Sequence, residues 1–341
     1  MIYSIGIIAM NEQDFLPLLL EDILKQDFNL KTVELILVDS DSTDATLKLM
    51  EEFRQNNFDI FRDIKIRANK NKIQSSGWNV VIDNFTGDSL TRLDAHSRIP
   101  TNFLRNVASA LGEGEKVVGG PRPNVLIRNP SSVQKVLYIA ENLRMGSGIS
   151  SARRKNSQKY VNSMFHATYL REVIDETGYF NEQLLRTEDN EYHYRVRKSG
   201  YKLYFTNSII SYQYARPSLK GYFKQKYGNG YWIGITSLYN KEIIEWYHLI
   251  PMFFVIFLLL GVLLIQTSVI KYFFLYSFGC YILALLVTSI VKVVMDKNFA
   301  LIFLPMIVFL THFLYGVGTL VGMFDYTIGR IKLMKWSVHD D

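Results

Sequence analysis

The 341-residue sequence has a single cysteine, Cys280, which lies within an apolar run. One thiol cannot form a disulfide within the chain, so a disulfide-stabilised scaffold is excluded. The sequence also lacks a glycine-rich phosphate-binding loop, because neither the GxGxxG pattern nor the GxxxxGK(S/T) pattern occurs. A Rossmann dinucleotide-binding domain and a P-loop nucleotide-binding domain are therefore excluded as well.

Charged residues are scarce in the last third of the chain. Residues 249–325 contain only two aspartates and three lysines as formally charged side chains. Three stretches have no formal charge at all: Leu249–Val269, Tyr272–Val291 and Phe299–Phe324. As an α-helix, each stretch is long enough to cross about 30 Å of hydrocarbon. We therefore expect three transmembrane helices within residues 248–326.

The basic residues that flank these stretches leave the membrane topology open. Lys292 and Lys297 lie between the second and third stretches, and further basic residues follow in a predicted tail at 327–341. Both groups favour the cytoplasmic side of a membrane. Three complete spans would place them on opposite sides, so either one stretch is re-entrant or interfacial, or the tendency fails here.

The first part of the chain alternates predicted strands with predicted helices. The β-branched runs Ile2–Ala9 and Val33–Val38 are typical of buried parallel strands, and Ile60–Ile66 predicts a third strand. Amphipathic helical patterns separate these runs. The alternation predicts an α/β domain with a mainly parallel sheet.

Polar residues follow several of the predicted strands. Asp94 and His96 come directly after the strand that begins at Ser89. The carboxyl ends of strands border the ligand-binding crevice of an open α/β sheet. Two side chains spaced i, i+2 in a tight turn could bind one cation together, and imidazole is an acceptable ligand for Mn²⁺. Alternatively, Asp94 caps the next helix and His96 is solvated.

The turn after the second strand, Asp39–Thr46, is rich in acids and hydroxyls. Its simplest interpretation is a helix N-terminus that is capped by Ser42 or Asp44. Capping needs one such residue, whereas three acids occur in this turn. Asp39, held at the strand end, could also accept the imide N–H of a uracil base or the hydroxyls of a ribose.

Together these stretches resemble the inverting family 2 glycosyltransferases of the GT-A fold. Within that family the sequence is similar to the membrane-bound group that includes succinoglycan-biosynthesis glycosyltransferases. The resemblance covers roughly residues 1–330 and rests on the following stretches: Ala9–Glu12, Val38–Thr46, Leu93–His96, Gly119–Arg122 and the C-terminal membrane region. It implies a GT-A nucleotide-sugar-binding domain with a mixed, mainly parallel sheet, followed by α-helical transmembrane segments.

The resemblance also implies a donor site. The residues that it assigns to this site are Ala9, Asn11, Glu12, Asp39, Asp41, Lys72 and Asp94. Asp39 would contact uridine and Lys72 would lie near the diphosphate, while Asp94 and His96 would replace the DxD motif that holds Mn²⁺ or Mg²⁺. Three positions depart from the usual family pattern. This chain has Ala9 where the pattern has proline, Ser40 where it has aspartate, and His96 where it has the second acid of the DxD motif.

A second acidic cluster lies within Arg186–Tyr192, at the start of a predicted helix that continues through Val196. Acids at the start of a helix are favoured by the helix dipole, and this effect alone could explain the cluster without a catalytic role. Inverting transfer needs one base to take a proton from the acceptor hydroxyl, while a metal offsets charge on the leaving diphosphate. The resemblance matches Glu188 and Asp189 to the ED motif. It implies that Asp189 is the base, and that Glu188 or Glu191 orients neighbours or acceptor.

Residues 216–247 interleave aromatic and cationic side chains. Such a segment can bind nucleic acid, but a membrane stretch follows closely, and the same side chains suit the headgroup layer. We therefore expect an interfacial amphipathic segment that contacts membrane lipids and no nucleic acid. The resemblance places Trp232 near the acceptor site.

The sequence thus predicts a metal-dependent, inverting hexosyltransferase in the bacterial cytoplasmic membrane, multi-pass, with a catalytic domain at 1–215 that faces the cytoplasm. It would transfer a sugar from a nucleoside diphosphate donor, with UDP expected, to a polyprenyl-linked glycan. The product would be capsule, exopolysaccharide or another surface glycan. Two alternatives are a processive polysaccharide synthase and a non-catalytic nucleotide-sugar-binding scaffold, the latter suggested by Ser40 and His96.

Overall fold

The computed structural model describes residues 1–143, 159–215 and 218–334. Parts of three predicted segments lie outside this description. They are residues 144–158 of the predicted catalytic domain, residues 216–217 of the predicted interfacial segment and residues 335–341 of the predicted basic tail.

The described residues form two compact units. The first contains residues 1–124 and 159–214, and the second contains residues 125–143 and 218–333. The domain boundaries that the sequence suggests stay predictions.

Strands and helices alternate along the first unit, and helices make up most of the second. The described strands are β1 Tyr3–Ala9, β2 Val33–Asp39, β3 Asp63–Ala68, β4 Ser89–Asp94, β5 Ser97–Arg98, β6 Val117–Gly119, β7 Asn124–Val125, β8 Tyr160–Val161, β9 Thr168–Leu170, β10 Leu203–Phe205 and β11 Tyr212–Tyr214. The described α-helices are α1 Leu16–Leu24, α2 Thr46–Asn57, α3 Gln74–Asn84, α4 Phe103–Gly112, α5 Ser132–Asn142, α6 Arg171–Thr177, α7 Glu188–Lys198, α8 Leu219–Tyr239, α9 Ile250–Leu263, α10 Ser268–Asp296 and α11 Leu304–Thr327.

The first unit is organised around an eight-stranded mixed sheet with the strand order β3-β2-β1-β4-β9-β6-β10-β8. Strands β3, β2, β1 and β4 are parallel neighbours, as are β6 and β10. Strand β9 is antiparallel to both β4 and β6, and it joins the two parallel groups. A smaller sheet has the order β5-β11-β7.

The central position of β1 explains its continuous apolar sequence. It pairs with β2 on one side and with β4 on the other, so both its edges are hydrogen-bonded. Ile5 and Ile7 are fully buried and join a core that α1 and α4 cover. The opposite face of the sheet packs against α3, α6 and α7 around Trp78 and Tyr192. Burial on both faces is what favours an unbroken β-branched run over an alternating pattern.

The second unit contains three helical segments that are long and apolar enough to cross a membrane. They are Trp246–Leu263, Ser268–Asp296 and Phe299–Thr327. The first segment ends six residues before the predicted boundary at Val269. Gln266 and Thr267 lie in the turn that follows it, and α10 begins at Ser268. The uncharged stretch Leu249–Val269 therefore contains the end of α9, a polar turn and the start of α10.

Helix α8 packs along α11 through glycines on both helices. A Cβ added at Gly230 or Gly234 would lie within 2.2 Å of a backbone oxygen on α11. A Cβ added at Gly322 would lie 2.0 Å from the carbonyl oxygen of Tyr231 on α8. The two backbones therefore touch directly, which is the packing that small residues permit between helices in membranes. The interfacial location of α8 stays a prediction.

Substitution of Gly322 tests this packing. Gly322→Ala is expected to destabilise the protein by about 1–3 kcal/mol, because overpacking forces backbone shifts. Gly279→Ala is the matched control, since Gly279 lies on α10 with nothing within 4 Å of an added Cβ. Thermal unfolding in detergent should show a lower Tm for Gly322→Ala and an unchanged or higher Tm for Gly279→Ala. Equal Tm values would show that the α8–α11 contact is not close in solution.

Candidate active site

The parallel strands place the predicted polar residues at one edge of the sheet. In the ladder, Ala9 pairs with Asp39, Asp39 pairs with Ala68, and Ile8 pairs with Asp94. The strands β1 to β4 therefore end side by side, and the turns that follow them begin from a common edge. Such an edge is where open α/β sheets bind ligands.

Backbone strain is concentrated in these turns. Asn11, Asp41 and Lys72 have φ values of 57°, 61° and 59°, although none of them is glycine. Thr187, which precedes the second acidic cluster, has a φ of 68°. Left-handed non-glycine residues cost about 1–3 kcal/mol each and are typical of functional sites. All four lie in or next to the stretches that the sequence assigns to substrate binding.

The turns after β1 and β2 are hydrogen-bonded to each other. The backbone N–H of Asn11 donates to Ser42 Oγ at 3.0 Å, and the N–H of Thr43 donates to Asn11 Oδ1 at 2.8 Å. Asp44 Oδ1 accepts from the N–H and the hydroxyl of Thr46 at 2.9 and 2.6 Å. The prediction that Ser42 or Asp44 is the N-cap is wrong, because the N-cap of α2 is Ala45, which has no side-chain capping bond. Asp44 instead accepts from Thr46, one position after Ala45, and Ser42 accepts from the turn after β1.

Asp39 is buried, and one of its carboxylate oxygens has no partner among the described residues. Its Oδ2 accepts from the N–H of Ser42 at 3.2 Å, while its Oδ1 is buried without a hydrogen bond. A buried acceptor without a donor costs about 1–3 kcal/mol. A ligand N–H or O–H at this oxygen would remove that cost.

Ser40, where the family pattern has aspartate, has a structural contact. Asn69 Nδ2 donates to Ser40 Oγ at 3.0 Å, and Ser76 Oγ donates to Asn69 Oδ1 at 2.7 Å. These three buried side chains connect the end of β2 to α3. Lys72 forms an ion pair with Asp41, and both side chains are at least half exposed. The pair therefore lies at the surface of the first unit.

Asp94 lies between a buried arginine and a buried histidine. Its Oδ2 is 2.6 Å from Arg122 Nη1 and 3.2 Å from His166 Nε2. Burial alone would raise the pKa of Asp94, but the hydrogen bond with His166 and nearby positive charge hold it well below its usual range. Burial also lowers the pKa of His166, which favours its neutral form. Arg122 is therefore the positively charged partner of Asp94. Asp94 is therefore a stable carboxylate.

His96 is held by protein partners at both ring nitrogens. Nδ1 lies 3.0 Å from Glu12 Oε1, and Nε2 lies 2.7 Å from Gln213 Nε2. The described residues contain no group of three His, Cys, Asp or Glu side chains that could hold a metal ion. Both contacts of Asp94 use Oδ2, which leaves Oδ1 available. This set fits a cation held by Asp94 and completed by substrate oxygens, and His96 as a ligand stays a prediction.

The two acids at the start of α7 have different environments. Glu188 is buried, and burial, with the charge of Asp189 as the next cause, raises the pKa of Glu188 to about 8. This direction favours the protonated form of Glu188. The Asp189 side chain is 26% exposed, and its Oδ1 accepts from Arg92 Nη2 at 2.6 Å. The Asp189 carboxylate is therefore accessible to a substrate, whereas the Glu188 side chain is buried.

The structure places the remaining predicted residues in other surroundings. Glu191 is buried and accepts two hydrogen bonds from Arg195, whose guanidinium also donates to the carbonyl oxygens of Thr177 and Tyr179. This contact orients α7 itself. Trp232 is buried on α8 in the second unit. The acceptor roles of both residues stay predictions.

Three residues of the site are missing from the sequence prediction: Arg92, Arg122 and His166. Arg92 is two positions before Asp94 on β4, so both side chains point to the same face of the strand. An arginine between Leu90 and Leu93, in the interior of a predicted strand, is the signal that could have indicated it. Arg122 belongs to the quoted Gly119–Arg122 stretch. Nothing in the sequence around His166 marks it.

The sequence of the chain matches a known protein family. The family model described as Glycosyl transferase family 2 matches residues 4–178. The matched range contains the four strand ends and Asp94, and it ends before Asp189.

Two curated relatives are similar to the chain. It is 27% identical over 327 residues to the dolichyl N-acetyl-alpha-D-glucosaminyl phosphate 3-beta-D-2,3-diacetamido-2,3-dideoxy-beta-D-glucuronosyltransferase of Methanococcus voltae, across 94% of this chain and 96% of that protein. It is 26% identical over 225 residues to the succinoglycan biosynthesis protein ExoA of Rhizobium meliloti (strain 1021), across 65% of this chain and 66% of that protein.

A solved structure is similar in fold. It is the mannosyltransferase PcManGT from Pyrobaculum calidifontis in complex with GDP-Man and Mn²⁺, with a TM-score of 0.62 at 13% identity, across 94% of this chain and 86% of that chain. At this identity the likeness establishes the fold alone. The α/β fold class that the sequence predicts, with apolar C-terminal helices, is confirmed.

Proposed function

The chain belongs to glycosyl transferase family 2, and on that premise we propose that it transfers a sugar from a nucleoside diphosphate donor to a lipid-linked saccharide at a membrane surface. The transfer inverts the anomeric configuration. The observation that carries this proposal is that Asp39 and Asp94 lie at the ends of strands in one parallel group, while Asp189 is ion-paired with Arg92 on the strand that ends in Asp94.

Asp39 supports a uracil or guanine nucleotide as the donor. The unpartnered Oδ1 can accept the ring N–H that uracil carries at N3 and guanine carries at N1. Cytosine and adenine present a ring acceptor at the corresponding position, and that acceptor would face a carboxylate. We therefore propose a UDP-sugar donor, with a GDP-sugar as the alternative that this contact also accommodates.

Asp189 is proposed as the base. The acceptor hydroxyl gives its proton to Asp189 as its oxygen forms a bond to the anomeric carbon, and the bond from that carbon to the diphosphate oxygen breaks. The nucleoside diphosphate leaves with the electron pair of that bond. One carboxylate is sufficient for this single displacement, and attack from the face opposite the leaving group inverts the centre. Burial raises the pKa of Glu188 and so favours its neutral form, which limits the negative charge next to the incoming hydroxyl.

A divalent cation, Mn²⁺ or Mg²⁺, would be held by Asp94 together with the diphosphate of the donor. When bound, it offsets the negative charge that develops on the leaving diphosphate. Asp94 suits this role because it is ionised and has one oxygen without a described partner. Lys72, released from Asp41, would contribute a second positive charge near the phosphates.

The helices of the second unit support a membrane-bound acceptor. Three segments are apolar and long enough to span, and the named acceptor of the Methanococcus voltae relative is a dolichyl-linked saccharide. We propose a polyprenyl-linked glycan acceptor and a multi-pass location in a cell membrane. The catalytic unit would face the cytoplasm, where soluble nucleotide sugars are available. The bacterial origin and the use in capsule or exopolysaccharide synthesis stay predictions.

Donor turnover tests the proposal. Purified protein in detergent is incubated with labelled UDP- and GDP-sugars, a polyprenyl-lipid extract, and Mn²⁺, Mg²⁺ or EDTA. We expect one donor to be consumed, its label to enter the lipid phase, and EDTA or Asp94→Ala to lower the rate at least 100-fold, since the leaving group loses its counter-charge. Donor binding without turnover would favour the scaffold. Long polymers made without a partner protein would favour the processive synthase.

A further inference from the structure

Arg92 is a buried cation beside the proposed base. Its side chain is 6% exposed, and its Nη2 lies 2.6 Å from Asp189 Oδ1. The two residues are 97 positions apart in the sequence, so this contact joins the middle of β4 to the start of α7. Burial opposes the charge of Arg92, whereas Asp189, Tyr169 and Glu188 raise the pKa of its guanidinium.

Aromatic rings fix the guanidinium in place. The Arg92 Cζ atom lies 4.3 Å from the ring centroid of Trp78 on α3 and 4.5 Å from that of Phe180. Phe180 in turn stacks on Tyr192 of α7, with centroids 3.9 Å apart and planes at 9°. A guanidinium held over aromatic faces has little freedom to turn. Its hydrogen bond to Asp189 therefore has a defined direction.

Resting on the proposed function, we propose that Arg92 is a positioning residue for catalysis, which holds Asp189 Oδ1 so that Oδ2 faces the acceptor hydroxyl. A carboxylate at the first turn of a helix can otherwise rotate and offer either oxygen. Pairing one oxygen with a fixed donor leaves one oriented oxygen for the proton, which is the role of an orienting partner in catalysis.

Strand β4 connects Arg92, beside the proposed base, to Asp94 in the proposed donor site. Arg92 and Asp94 are two positions apart on β4 and share a face, about 6.6 Å apart along the strand. Asp94 pairs with Arg122, and Asp189 pairs with Arg92, so each carboxylate has its own buried arginine. Strand β4 is hydrogen-bonded to β1 on one edge and to β9 on the other. Because Arg92 and Asp94 both belong to this strand, the ion pair of Arg92 fixes the position of the proposed base relative to Asp94.

A double-mutant cycle tests this inference. Arg92→Met removes the charge and keeps much of the length of the side chain, and it is expected to lower kcat for transfer about 10- to 100-fold. The KM for the donor should stay within about 2-fold, because Arg92 acts on the acceptor side. In an Asp189→Asn background, Arg92→Met should cause little further loss of residual transfer, since the oriented base is already absent.

Arg171→Met is the matched control. Arg171 also lies over an aromatic ring, with its Cζ 4.0 Å from the centroid of Phe85, and its guanidinium donates to carbonyl oxygens rather than to a carboxylate. We expect Arg171→Met to lower stability and to leave the Arg92–Asp189 coupling unchanged. Arg92→Lys retains a cation and should have a higher kcat than Arg92→Met. If Arg92→Met does not fold, Arg92→Lys replaces it in the double-mutant cycle with Asp189→Asn.

Equal losses from Arg92→Met in the wild-type and Asp189→Asn backgrounds would overturn the positioning role, because a purely structural residue acts additively. A rise in donor KM with unchanged kcat would also overturn it. Failure of the proposed function is distinct, since it would appear as absence of transfer by the wild-type protein with every donor.

Discussion

Asp189→Asn is expected to lower kcat for sugar transfer by roughly 10³-fold, within the range that general-base catalysis contributes. The asparagine amide is similar in size and can still accept a hydrogen bond from Arg92, so the start of α7 should be preserved. It cannot take a proton from the acceptor hydroxyl. Transfer rates at saturating donor and acceptor would measure the loss, and calorimetry would show donor binding within about 2-fold of wild type.

Asp175→Asn provides the control, because Asp175 is an exposed acid on α6. It should leave kcat unchanged. A residual rate above about one tenth of wild type in Asp189→Asn would contradict the assignment of Asp189 as the base, since loss of a general base costs far more. Glu188 would then need to be tested, although burial raises its pKa and so favours its protonated form.

Asp39→Ala is expected to weaken binding of the donor nucleotide by about 10- to 100-fold. This corresponds to the loss of one hydrogen bond to a charged group, about 1.5–3 kcal/mol. The variant should remain folded, because it loses only one hydrogen bond within the protein, from the N–H of Ser42 to Oδ2, while the buried Oδ1 has no partner among the described residues. Titration of UDP and GDP into the protein, with CDP and ADP for comparison, would measure both affinity and base selectivity.

Asp44→Ala is a stringent control for this prediction, since Asp44 lies in the same turn. Its carboxylate accepts from protein donors at the start of α2. We expect Asp44→Ala to lower thermal stability and to leave nucleotide affinity nearly unchanged. Equal affinities for all four nucleotides in the wild-type protein would contradict the contact between Asp39 and a ring N–H.

Much of the fold could be predicted because parallel strands have a simple signature. The first two strands are continuous β-branched runs, and the structure bounds them at Tyr3–Ala9 and Val33–Asp39. The third strand begins at Asp63, later than predicted, because its burial is partial and its apolar pattern is weaker. Among the apolar helices, the first ends at Leu263 because polar side chains turn the chain within an uncharged stretch.

The edge at which the site lies could also be predicted, since it follows from where strands end. The pairing of carboxylates with arginines could not. The Arg92–Asp189 contact spans 97 positions and the Arg122–Asp94 contact spans 28. Neither pairing follows from local propensity, because each depends on how distant elements pack. For the same reason, the sequence marks Asp94 and His96 as neighbours without revealing that Glu12 and Gln213 hold the imidazole.

The anomeric configuration of the product tests the proposed single displacement most directly. Proton NMR of the reaction with an α-linked nucleotide sugar would follow the anomeric signal from donor to lipid-linked product. A β-linked product would agree with direct attack that is assisted by Asp189. An α-linked product would require two displacements or a front-side route, and it would contradict a mechanism with one base and no covalent intermediate.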